Sequence, residues 1–215
     1  MLTVHLGSQR SSRQLATGDS VAPLDLVTVL GRKVRVPTPG QLTHLQFRRF
    51  AGCPVCDLHL HSFVRREADL AAANVNEVVF FHSSADGLRP YTADLPFAVV
   101  PDPDKVQYRA FGVEAGPRAL LDPRAWSTIL RSLARSIWQT VRHGRRLPPT
   151  SPEGGRLGLP ADFLLDGDGR ILACKYGEHA ADQWTVDNLI ALARRAQEHS
   201  SVGLPPNGIA PVPAP

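Results

Sequence analysis

The chain has 215 residues, of which 43% are hydrophobic and 20% charged. That suffices for one cored domain with extras and removes the need for disulfide staples. Three cysteines in a chain of this length exclude a secreted disulfide scaffold. The formal net charge of +4 is unevenly placed. Residues 117–158 hold eight arginines against Asp122 and Glu153, a local +6, so the remainder sums to −2. The basic character therefore belongs to one segment.

Residues 1–19 are polar and Ser-rich and are expected to be flexible. Met1 to Ser20 holds Arg10 and Arg13 but no apolar signal-peptide core. No stretch approaches the ~20 apolar residues of a spanning helix. The expectation is a soluble, cytoplasmic protein without a transmembrane segment.

Val21 to Val36 carries two apolar runs around Gly31-Arg32-Lys33 and reads as a β-hairpin. Leu42 to Phe47 reads as a strand. Gly52-Cys53-Pro54-Val55-Cys56 follows, and then Cys56, Leu60, Phe63, Val64, Glu67 and Leu70, with apolar members at helical spacing. Pro54 suits the first turn of that helix, where an N–H has no partner anyway. Val78 to Phe81 suits a central strand covered on both faces. The strand–helix–strand order makes a parallel pair. Phe97 to Val100 reads as a further strand, and Lys105 to Phe111 as a short helix ending at Gly112.

In the basic segment Trp126, Ile129, Leu130, Leu133, Ile137 and Val141 share one helical face, with Pro148-Pro149 as the stop. Trp126 and Trp138 are expected to pack. The favoured role of this helix is covering the domain or a dimer interface, ahead of a lipid surface. No nucleic-acid-binding fold accompanies its arginines. Phe163 to Leu165, a turn at 166–169 and Arg170 to Tyr176 form a second hairpin. A last helix runs from about Thr185 to Gln197. Residues 198–215 form a Pro-rich tail expected to be disordered, with five prolines between Ser200 and Pro215.

The chemistry is expected at Cys53 and Cys56. A thiol attacks only as thiolate, and a helix N-terminus stabilises that anion. A second thiol three residues on is near enough to resolve a mixed disulfide. Arg48 and Arg49 lie just upstream and add positive potential if they face the sulfurs. Two inert buried cysteines are the bland alternative. The run Cys53, Cys56, His59, His61 also has ligand-type residues, but His61 lies off the shared face, so no metal is expected and both histidines read as solvated. Cys174 reads as a small buried residue. His82 ends a strand at the sheet edge where ligands bind in open α/β folds. His179 reads as a surface or capping residue.

Phe47 to Cys56 resembles the active-site segment of the peroxiredoxin-like branch of the alkyl hydroperoxide reductase/thiol-specific antioxidant family. Leu95 to Asp104 with Tyr108 to Val113 is similar to that family's middle, and Leu159 to Arg170 to its closing hairpin. The resemblance implies an α/β, three-layer thioredoxin-like fold over 20–197, with the basic amphipathic helix inserted at 117–158. It also implies antioxidant thiol chemistry with no organic cofactor. The partners would be an external thioredoxin- or glutathione-like reductant and a disulfide or hydroperoxide substrate, and a homodimer is possible.

Peroxiredoxins carry Pro-x-x-x-Thr-x-x-Cys. With Cys56 placed at their attacking thiol, Cys53 stands at the Thr and Arg49 at the Pro. The Arg they place three residues before the hairpin Phe is here Pro160, the position of the thioredoxin cis-Pro. The thioredoxin pattern makes Cys53 the attacking thiol; the peroxiredoxin alignment makes it Cys56. Losing the Thr and Arg donors leads to the expectation that disulfide exchange outpaces peroxide reduction. A non-enzymatic redox sensor or binding module using the basic helix is the alternative from another class.

Overall fold

A computed structural model describes residues 13–92, 94–113, 121–143, 152 and 155–201. Five strands form one sheet: β3 (Leu42–Arg48), β4 (Val75–Phe81), β5 (Ala98–Pro101), β6 (Ala161–Leu165) and β7 (Ile171–Tyr176). Their order is β5-β4-β3-β6-β7. β3 runs parallel to β4, and β4 to β5, while β6 is antiparallel to both β3 and β7. The Val78–Phe81 run lies in β4, inside the sheet and covered on both faces as expected, next to β3 at the middle. The expected first hairpin is β1 (Leu24–Val27) with β2 (Lys33–Val36).

The helices are α1 (Pro54–Val64), α2 (Glu67–Ala72), α3 (Ala85–Thr92), α4 (Val106–Ala110), α5 (Pro123–His143) and α6 (Val186–Ser201). The single helix expected from Cys56 to Leu70 is two. α1 ends at Arg65, and α2 starts afresh after Arg66, whose guanidinium pairs with Asp69 and Asp187. Phe63, Leu88 and Leu189 from the helices meet Val79, Phe81 and Leu164 on one sheet face. On the other, Tyr108, Phe111 and the hairpin's Leu26 and Val36 cover Leu45, Phe47, Phe80 and Phe163. These are the three layers. Residues 13–20, expected to belong to a mobile start, lie along the closing hairpin: the Gly18 amide donates to Ile171, Ile171 donates to Asp19, and Tyr176 donates to the Leu15 carbonyl. Pro148-Pro149 and the tail beyond Ser201 lie outside the described residues.

The first face carries a polar line that alternation alone would assign to solvent. His44, Gln46 and Arg48 on β3, Glu77 on β4 and Asp162 on β6 are all buried. Register brings them together, since His44 is opposite Glu77 and Gln46 opposite Asp162. His44 sits between two carboxylates, with Nδ1 2.8 Å from Glu77 and Nε2 3.2 Å from Asp162. Arg48 Nη2 donates to Asp162 at 2.6 Å, and its Nε donates to Gln46 at 3.0 Å. Burial opposes a charge on His44, but the two carboxylates outweigh it and raise its pKa to about 9. Two cations thus balance two anions inside the sheet–helix layer.

Breaking such a buried set by removing one partner costs far more than the set contributes net. Asp162→Asn should destabilise the fold by about 3–5 kcal/mol in urea denaturation; a loss below about 1 kcal/mol, as for an exposed pair, would show that Arg48 and His44 do not need it. Folding raises the His44 pKa from 6.5 to about 9. Its contribution is thus complete below pH 6.5 and disappears as pH climbs through 9. The stability difference between the native chain and His44→Asn should shrink across that window, by on the order of 3 kcal/mol. A pH-independent difference would mean that His44 is neutral in the fold.

Candidate active site

The end of β3 and the start of α1 build the site. Cys53 is the N-cap of α1 and Pro54 its first residue. Gly52, with φ of +74°, makes the left-handed turn that brings the chain from the strand to the helix. The loop is pinned from beneath, where the Ala51 amide donates to the Ser83 hydroxyl at 3.0 Å. Tyr108 ties the neighbouring strand ends together, donating to the Arg48 carbonyl and lying 3.0 Å from that of Phe80.

Cys53 and Cys56 are both free thiols, and each is only 2% exposed. Burial alone would raise both pKa values. For Cys53 three influences overcome it: the hydrogen bond from the Cys56 thiol, the Arg49 guanidinium, and the Cys56 and Val55 amides at the helix start. Its pKa falls to about 6. Cys56 goes the other way: burial and the neighbouring Cys53 sulfur hold its proton on. The pair is therefore one thiolate and one thiol that donates to it.

Arg49 Nη1 lies 3.7 Å from the Cys53 sulfur, and Nη2 donates to the carbonyl of Arg156. The side chain is 3% exposed and stacks over the Phe50 ring. No carboxylate pairs with it among the described residues. The segment after α5 closes over this group. A Cβ at Gly158 would come within 2.7 Å of His82 Nε2, so a side chain there would require the His82 ring to shift. His82 is itself buried, edge-on to Tyr108 at 5.7 Å, with its amide donating to the Arg49 carbonyl.

Several expectations change. Arg48 does not face the sulfurs; it turns into the buried network and contacts His59 Nε2 at 3.1 Å. His59 is half-buried rather than fully solvated, and burial and the adjacent Arg48 hold its pKa far below the ordinary value. His61 is half-buried and bonds back to the Asp57 carbonyl at 3.0 Å. The described residues contain no cluster able to hold a metal ion. Pro160 is buried before β6, where its carbonyl accepts the Gly177 amide at 2.9 Å. Its peptide bond is trans; among the described residues the cis bond is Val36–Pro37. Cys174 is half-buried on β7 against Leu15 and Thr17, away from the dithiol.

Trp126 and Trp138, expected to pack, are instead 57% and 56% exposed. Of the expected inward face of α5, only Ile129 joins the core. The helix instead leans on α1, with Ser132 buried and Thr128 and Ser136 half-buried. Helical spacing identifies an apolar face but not which way it turns. Small serines allow the closer approach.

Comparison with known proteins agrees with this architecture. Among solved structures, the chain is similar to peroxidoxin BcpB from Mycobacterium tuberculosis, with 16% identity, a TM-score of 0.58, and 85% of this chain and 98% of that one covered. It is similar to a reduced 2-Cys peroxiredoxin from Plasmodium vivax at 13% identity and TM-score 0.61, covering 91% and 89%. Xanthomonas campestris peroxiredoxin Q aligns at 15% identity and TM-score 0.54, covering 82% and 91%. Identities this low speak for the fold alone. No curated protein matches the sequence significantly. The family model described as AhpC/TSA antioxidant enzyme matches residues 62–179, beginning after Cys56. That match spans more than half of the sequence, and the chain belongs to the AhpC/TSA antioxidant enzyme family.

Proposed function

We propose that this chain is a thiol peroxidase in which Cys53 attacks a small hydroperoxide and Cys56 resolves the product. The observation that carries this reading is the buried Arg49 guanidinium beside the Cys53 sulfur. A guanidinium cannot lose its proton at ordinary pH, so a buried one needs an anion. The Cys53 thiolate is the group positioned to supply it.

In the first step the Cys53 thiolate attacks one peroxide oxygen. The O–O bond breaks, the sulfur becomes a sulfenic acid, and the departing oxygen takes a proton to leave as alcohol or water. The Cys56 thiol then attacks Cys53, the S–O bond breaks, and water departs from a Cys53–Cys56 disulfide. An external thiol reductant supplies two electrons to reopen it, which suits a reducing compartment such as the cytoplasm. Arg49 polarises the peroxide and stabilises the negative charge growing on the leaving oxygen. Pro54 starts α1 and leaves the Val55 and Cys56 amides as the ones that meet the Cys53 sulfur, and Pro160 stands where the family's pattern has an arginine.

Burial favours a small substrate, because a protein disulfide does not reach a sulfur that is 2% exposed. The C-x-x-C spacing favours a second reading, exchange with a disulfide through the same Cys53. Side-by-side reactions of the reduced protein with hydrogen peroxide and a model disulfide separate the two. Faster peroxide reaction supports the peroxidase, and faster disulfide reaction the exchange enzyme.

Alkylation of the reduced protein should be half-maximal near pH 6, at Cys53. Arg49→Gln should move that midpoint up by about 1–3 units and slow peroxide reduction by roughly 10²–10³-fold, while Arg49→Lys should restore much of both. An unshifted midpoint in Arg49→Gln would remove Arg49 from the site.

Cys53→Ser should lose peroxide consumption. Cys56→Ser should react once and accumulate a sulfenic acid that dimedone labels at Cys53. Consumption retained in Cys53→Ser but lost in Cys56→Ser would make Cys56 the attacking thiol.

A further inference from the structure

We infer that α5 is a docking surface for an anionic phospholipid bilayer. At 100° per residue, Trp126, Leu130, Leu133, Ile137 and Val141 fall within one stripe, and Trp138 borders it. The structure turns this stripe away from the domain, leaving Leu130 67% and Val141 83% exposed. Contiguous apolar area of this kind on a folded domain marks a contact surface.

The occupant is indicated by charge. Arg124, Arg131 and Arg142 fall in one column about 140° round the helix from the centre of the stripe, beyond Trp138, with the half-buried Arg135 among them, and no acidic residue occurs between Pro123 and His143. Arg124 is taken up by Asp122 and Glu178, and Arg142 lies over the Trp138 ring. The flanking sequence adds Arg118, Arg145, Arg146 and Arg156 against Glu153. In an α5-to-α5 contact a second copy of the chain presents the same acid-free helix and so offers these arginines no counter-charge. A bilayer of anionic headgroups over acyl chains matches both halves. The apolar stripe with two Trp rings enters the interface, and the arginines stay among the phosphates. No helix among the described residues is long and apolar enough to cross a membrane, so the contact is along the surface.

The full reduced chain should co-sediment with vesicles of phosphatidylcholine and phosphatidylserine mixed two to one. It should leave vesicles of phosphatidylcholine alone in solution, and high salt should release it. Trp126 and Trp138 are two of three tryptophans, the third, Trp184, being buried in the core. Their emission should shift to the blue on anionic vesicles and be quenched by brominated acyl chains. Arg131→Glu with Arg142→Glu should weaken binding at least about tenfold, and Leu130→Asp with Ile137→Asp should abolish it, with circular dichroism unchanged. Failure of the native chain to bind anionic vesicles at low salt overturns the inference. So does salt-independent binding to both vesicle types. Self-association without vesicle binding, lost in the Leu130→Asp, Ile137→Asp variant, would assign the stripe to a second copy instead.

Discussion

Two arginines in succession end the central strand, and both are buried. A guanidinium stays charged under all ordinary conditions, so each must meet an anion inside the fold. The alternation of a β-strand sends consecutive side chains in different directions, and the fold answers each one separately. Arg48 turns under α1 to Asp162 on β6. Arg49 leaves the strand end toward α1's first residue and meets Cys53. Most of the site's geometry follows from these two requirements. β6 must bring a carboxylate opposite Gln46, and α1 must start with a group that carries negative charge readily.

The second requirement explains why the two cysteines differ. Both are buried to the same extent, so desolvation does not separate them. The separation comes from position on the helix. Cys53 sits where the Val55 and Cys56 amides and Arg49 converge, and Cys56 sits one turn further in, with its proton directed at its neighbour. Charging one sulfur makes charging the other harder, so the pair holds a single negative charge between them. In the reaction proposed above, the first group is the nucleophile and the second the protonated thiol that resolves it.

Much of the layering was legible from sequence because it rests on apolar periodicity and turn residues. The hairpins at 24–36 and 161–176, the strand before the dithiol and the helix after it all answer to those signals. The polar line was not legible. Leu42, His44, Gln46 and Arg48 alternate with Thr43, Leu45 and Phe47, and that pattern belongs equally to a strand with one wet face. Only the arrival of Glu77 and Asp162, from residues far along the chain, allows it to be dry. The setting of His59 is hidden for the same reason, since its partner is the buried Arg48. Arg49 was visible as a nearby charge, but the spacing did not show which of the two arginines would reach the sulfur. The direction of α5 also escaped, because an amphipathic pattern is blind to what the rest of the chain places against it.

The departures from the family's pattern then acquire a physical sense. Against that pattern the chain carries two losses, a Thr replaced by Cys53 and an Arg replaced by Pro160. The structure returns a guanidinium from a third place, because Arg49 stands where the pattern has proline. What a peroxide-reducing site requires is a cation beside a thiolate in a water-poor pocket, and the route by which the cation arrives is open to exchange. A proline at position 49 would supply rigidity and no charge; an arginine there needs the loop held by other means. The Ala51–Ser83 bond and the Tyr108 anchor serve that purpose. Charge and rigidity, which one arginine and one proline provide in the family's pattern, are here distributed over different residues and gathered around Cys53 rather than the Cys56 position that the pattern gives its thiol.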